Sequence, residues 1–134
     1  MTAAWPLESF DLGRTYIHLE DGPAAVRVPV AENFWQTIDQ HTELLDGRLM
    51  TAFRFNSTAD WPHWEMHPAG DEIVCLTSGA LDLVLDDGTA ERIVELRDGA
   101  TCVIPRGVWH RAIVREPSRA VFITRAAGTQ TRPL

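Results

Sequence analysis

Short runs of alternating apolar and polar residues, broken by turn signals, run along most of the chain. Four Asp-Gly steps (21–22, 46–47, 87–88 and 98–99) supply the positive φ that tight turns need. Arg14–Leu19 and Ala24–Val30 flank the Asp21–Pro23 turn and read as a hairpin. Leu81–Leu85 and Arg92–Leu96 flank Asp86–Thr89 and read as another. Arg48–Asn56, Trp61–His67, Glu72–Thr77, Thr101–Ile104, Val108–Arg115 and Ala120–Thr124 are further strands. Many short strands at regular spacing predict an all-β sandwich or barrel. One segment differs. Within Ala31–Leu45, Phe34, Trp35, Ile38 and Leu45 recur at helical spacing, which predicts one short amphipathic helix packed on the core. Ala126–Leu134 reads as a polar tail that frays.

The 134 residues suit a single domain, 1–134. Twelve basic residues against nineteen acidic ones give a net charge of −7. With no basic run, nucleic acid and anionic membranes are excluded as partners. All the basic residues are arginine. The absence of lysine removes Schiff-base chemistry and a phosphate-loop lysine. Met1–Phe10 has neither the basic nor the apolar stretch of a leader, and no apolar run reaches a membrane span, so the expected location is the cytoplasm. Cys75 and Cys102 lie in apolar strand text with no C-x-x-C pair and read as small buried hydrophobes.

Three of the five histidines fall in two unusual neighbourhoods. In the first, Trp61 to Glu72, residues His63, Glu65 and His67 share one face of a strand. Glu72 opens the next strand beyond the Pro68–Asp71 turn, where Asp71 is a turn residue, and reaches the same cavity if the two strands lie together. In the second, Pro105-x-Gly107 makes a turn and His110 lies early on the following strand. Taken alone, Glu72 reads as a solvated strand start and His67 as a core histidine. With Glu65 and His110 they are the residue types that ligate a divalent metal. His18 and His41 match nothing and are expected at the surface.

These two segments resemble the paired motifs of the cupin family. The first reads Glu65-x-His67, four residues, Glu72, six residues, Gly79, within about 59–79. The second reads Gly99, five residues, Pro105-x-Gly107, two residues, His110, within about 99–114. Three positions depart from the family pattern: Glu65 replaces the first histidine, and Ala59 and Val114 stand where Gly and Asn are usual. The resemblance implies a jelly-roll barrel (a double-stranded β-helix) with one divalent ion, Fe, Mn, Zn or Ni, held by Glu65, His67, Glu72 and His110. Exchanging His for Glu takes a divalent site from net +1 to zero, weakens its pull on anions and favours harder metals. His63, on the same face as Glu65, either replaces it, hydrogen-bonds it, acts with it as an acid–base group, or has no role.

Trp61 shares the inward face and walls the pocket. Phe53 and Phe55 share a face of the preceding strand, as core or as pocket lining, with Arg54 opposite. Arg48 or Arg106 is available to a substrate carboxylate. Trp64 and Trp109 point outward and suggest a second layer, either an N-terminal cover or a homodimer interface, the latter common in the family. The expected function is that of a small-molecule metalloenzyme of oxygenase or isomerase type, acting on a small acid, sugar or diketone-like compound. The alternatives are a non-catalytic ligand-binding or sensor module, and a barrel without metal in which Glu65 is a plain acid–base residue.

Overall fold

The computed structural model describes residues 7–134; Met1–Pro6, part of the Met1–Phe10 stretch read above, lie outside the described residues. Nine strands follow in order: β1 (Thr15–Leu19), β2 (Ala25–Pro29), β3 (Arg48–Phe55), β4 (His63–Met66), β5 (Glu72–Asp86), β6 (Glu91–Arg97), β7 (Thr101–Ile104), β8 (Trp109–Thr124) and β9 (Gln130–Pro133). All pairings are antiparallel. One path runs β2-β1-β3-β8-β4-β9, and β5 joins β8 to β6 and β7. The two longest strands, β5 and β8, pair along nearly their full length and form the spine of an all-β jelly roll. No helix among the described residues is long and apolar enough to cross a membrane.

Each long strand fuses two segments that the sequence pattern keeps apart. Glu72–Thr77 and Leu81–Leu85 are both β5, and Val108–Arg115 and Ala120–Thr124 are both β8. Gly79 and Pro117 suggest breaks, yet they sit across from each other where the register shifts, between Leu76 and Leu81. A bulge is where a strand tolerates a proline, because no ladder hydrogen bond is needed there. Gly79 has φ 97°, and a Cβ on it would lie 2.4 Å from the Pro117 carbonyl oxygen. Ser118 Oγ accepts the Ala80 N–H at 3.0 Å and closes the bend.

Alternation along both long strands sets the interior. Glu72, Val74 and Leu76 on β5, with His110, Ala112, Ala120 and Phe122 on β8, are buried. The main core joins these strands to Phe55, Trp61, Leu83 and Ile104. A smaller cluster of Tyr16, Phe34, Leu44 and Leu49 lies under the N-terminal hairpin.

The expected helix over Ala31–Leu45 shrinks to a 3₁₀ turn, Ile38–Gln40, and one α-helical turn, α1 (Thr42–Leu45). Before them come isolated turns such as Phe34 N–H to Ala31 O. Thr37 Oγ1 donates to Asn33 O at 3.0 Å, a local bond that competes with the helix, and His41 (φ −101°, ψ 71°) leaves the helical region. The apolar spacing there serves packing, with Phe34 edge-on to Tyr16 at 5.3 Å. The tail is also corrected, because Gln130–Pro133 is β9, paired with β4 in full register. Trp64 and Trp109 are covered from within the chain. Arg132 of β9 lies over both rings, at 5.0 and 4.6 Å, and Arg111 lies over Trp64 at 5.1 Å. Arg132 also bonds Asp86 at 3.0 Å. Within the chain Trp64 is thereby buried and Trp109 half-buried.

Cys75 and Cys102 are free and half-buried, on the paired strands β5 and β7. Asp82 is buried on β5, where its two oxygens accept Arg115 Nε at 2.8 Å and Arg97 Nη1 at 3.3 Å. Burial opposes its ionised form, but the two guanidiniums outweigh this and hold the carboxyl below the usual range.

Two substitutions test this frame. Gly79→Ala meets both the positive φ and the Pro117 carbonyl, and should lower stability in urea by about 3 kcal/mol. Asp82→Asn should cost about 1 kcal/mol at neutral pH. Because the folded carboxyl titrates below the unfolded one, that stability is present above about pH 4 and lost as pH falls. The gap between wild type and Asp82→Asn in urea titrations should therefore narrow toward pH 3.

Candidate metal centre and cavity

Three strands deliver the chemical side chains. β4 carries His63 and Glu65, with His67 just past its end; Glu72 opens β5; His110 enters on β8, in register with Glu65. The loops beyond these strands are tied together. Gly107 N–H donates to His67 O at 3.0 Å, and Arg106 N–H donates to Asp71 Oδ1 at 2.9 Å. Asp71 is thus a turn residue, as expected, and it joins the β4–β5 turn to the β7–β8 turn.

His67 Nε2 lies 3.1 Å from Glu72 Oε2, and His110 Nε2 lies 3.2 Å from Glu72 Oε1. Glu65 Oε2 is 3.8 Å from His67 Nε2. One donor atom each from Glu65, His67 and His110 falls within a mutual 4.8 Å. His63 Nε2 is 3.3 Å from Glu65 Oε1 and half-exposed. It therefore sits beside Glu65 rather than in its place. Of the positions expected to converge, all four do, and His63 borders them.

The hydrogen bonds of the imidazoles fix what they present. His110 Nδ1 is 3.0 Å from the Val108 carbonyl, which can only accept, so Nδ1 carries the proton. Thr129 Oγ1 donates to Ala126 O at 2.8 Å, so toward His67 Nδ1, also at 2.8 Å, it accepts. Both rings therefore turn their Nε2 atoms toward the carboxylates. Those two Nε2 atoms and Glu72 Oε1 are buried yet make no hydrogen bond among the described residues. Two lone pairs facing an anion at this distance repel unless a positive charge lies between them. A proton or a metal ion meets that demand, and two imidazoles with two carboxylates suit a divalent ion.

The charges agree with this picture. Burial alone would raise Glu72, but His110 and His67 beside it outweigh burial and hold the carboxyl at about 2. Burial alone would lower His110, but Glu72 outweighs it and moves the imidazole up. Thr124 Oγ1 donates to Glu72 Oε2 and fixes that carboxylate from behind. Each of the four groups is therefore oriented by a neighbour, as metal ligands usually are.

Above the cluster opens a cavity of about 550 Å³, walled by Trp35, Phe53, Phe55, Trp61 and Phe122. Phe53 and Phe55 serve both readings, since they also touch the core. Neither Arg48 nor Arg106 lines it. Arg106 sits in the turn by Asp71, so the expected arginine for a substrate carboxylate is not there. His18 is buried, 2.6 Å from the Asp46 carbonyl oxygen, and is not a surface residue; His41 is exposed as expected. Thr124 could have been found by alternation from Phe122. Thr129 had no signal, because nothing in the sequence ties the C-terminal segment to His67.

Comparison with known proteins gives the same architecture. No curated protein matches the chain. An oxalate oxidase structure aligns at 24% identity with a TM-score of 0.52, over 66% of this chain and 47% of that one. The chain thus spans about half the length of the oxalate oxidase. A double-stranded β-helix protein from Klebsiella pneumoniae aligns at 16% identity and TM-score 0.52, over 65% and 76% of the two chains. A cupin-2 domain protein from Shewanella frigidimarina aligns at 22% identity and TM-score 0.48, over 57% and 68%. At these identities the likeness is one of fold. Residues 53–124 match the family described as the cupin domain, a span running from the end of β3 through β8 and holding all four convergent side chains, and the chain belongs to that family.

Proposed function

We propose that the protein is a metal-dependent enzyme acting on a small molecule, with oxygenase- or isomerase-type chemistry. The observation that carries this reading is the set of three buried donor atoms without hydrogen bonds on His67, Glu72 and His110, of which His67 and Glu72 line an aromatic cavity and His110 lies behind Glu72. Glu65, His67, Glu72 and His110 would hold one divalent ion. When bound, such an ion supplies a Lewis acid and, if it is iron, a redox centre for reaction with O₂.

The chain's own groups do the rest. Glu65 and Glu72 together neutralise a divalent ion, so the centre itself does not select anions. His63 Nε2 beside Glu65 Oε1 forms a pair that can take a proton from a substrate carbon or oxygen and pass it to the half-exposed imidazole. The aromatic walls exclude water and hold the substrate flat over the donor cluster.

Elemental analysis of protein purified without chelator tests the reading, with His110→Ala in parallel. Near-stoichiometric Fe, Mn, Ni or Zn, lost in the variant, is expected. Iron would direct the next assay to O₂ uptake. Absence of metal even after reconstitution would overturn the proposal. Metal with a ligand-dependent change in oligomeric state and no turnover would favour a sensor instead.

A second expectation concerns Thr129. Thr129→Val keeps the shape but removes the acceptor for His67 Nδ1–H, and metal affinity should fall about 10- to 100-fold while Thr129→Ser stays near wild type. Competition against a chromophoric chelator reads this directly.

A further inference from the structure

The cavity carries information about its occupant beyond the metal centre. Its wall is aromatic on several sides: Trp35 and Phe53 are 6.0 Å apart, Phe53 and Phe122 5.7 Å, and Phe55 and Trp61 5.4 Å, centroid to centroid. Its charged groups are all acidic apart from the histidines. Asp39 and Asp60 line it together with Glu65 and Glu72, and no arginine does. Asp60 is engaged at the Asn56 and Ser57 N–H groups. Asp39 has no hydrogen-bond or ion-pair partner among the described residues.

An anion entering this cavity meets Asp39 and Asp60 at its rim and Glu65 and Glu72 deeper in, with no guanidinium among the described residues to receive it. Both aspartates are exposed, so their repulsion is screened and modest; the larger cost to an anion is leaving water for an apolar wall with no guanidinium to receive it. A flat uncharged ring loses little on desolvation and gains contact on several faces. We infer that the substrate is an aromatic compound bearing no negative charge, with a neutral oxygen function directed to the floor of the cavity. The inference rests on the proposed use of this cavity as the substrate site, but not on the metal. It also sets aside the small acids among the expected substrates.

The test compares two probes of nearly equal shape, 2-naphthylmethanol and 2-naphthoate, by calorimetry at neutral pH. Metal-free and metal-reconstituted protein are both titrated, and their metal content is measured separately, so a failure of the metal reading leaves the cavity result legible. The alcohol is expected to bind roughly tenfold or more tightly than the carboxylate in both forms. In Asp39→Asn the alcohol should be unchanged and the carboxylate should tighten severalfold, narrowing the gap. Equal or tighter binding of 2-naphthoate in either form, no binding of the alcohol, or a gap that does not narrow in Asp39→Asn would each overturn the inference.

Discussion

The structure is organised around a carboxylate that the core could not otherwise tolerate. Glu72 is buried beneath Val74 and Leu76 on the same strand face, where an isolated negative charge would be severely penalised. It remains ionised because two imidazoles and a threonine hydroxyl surround it. Each of those three groups comes from a different place in the chain. Placing them around one carboxylate therefore demands that β4, β5 and β8 meet in one register.

The bend at Gly79 and Pro117 makes that meeting possible. A straight β5–β8 pair would be one long ribbon with a single partner on each side. The register shift lets β8 serve β3 with its later half and β4 with its earlier half. The later half brings Phe122 and Thr124 to the cavity, and the earlier half brings His110 against Glu72. The enclosure and its chemical floor thus depend on one local departure from regular strand geometry.

Much of this was legible in the sequence, and the gaps have physical causes. Alternation and Asp-Gly turns marked the strands, since alternation reports on the pleat and three of the four steps (Gly47, Gly88 and Gly99) do place their glycine at positive φ, while Gly22 turns without it. The joint spacing of Glu65, His67, Glu72 and His110 marked the donor cluster, because turn length and strand period fix where such side chains project. What failed was non-local. Arg132 could not be paired with Trp64 and Trp109, nor His18 with the Asp46 carbonyl, from separations of tens of residues. The segment Ala31–Leu45 carried helical spacing without helical backbone, because local side-chain bonds and the His41 conformation outweighed periodicity there. Composition likewise could not show that twelve arginines leave the cavity bare of positive charge.

The contact between His67 and Thr129 spans 62 residues of sequence. A ligand whose ring orientation is set from so far away cannot be ready in a partly folded barrel. Strands β3 to β8 can close while the His67 ring still samples either face and either tautomer. Docking of β9, driven by Arg132 against the two tryptophans, would end that sampling. The orientation of the His67 ring and the docking of the C-terminal segment are therefore coupled.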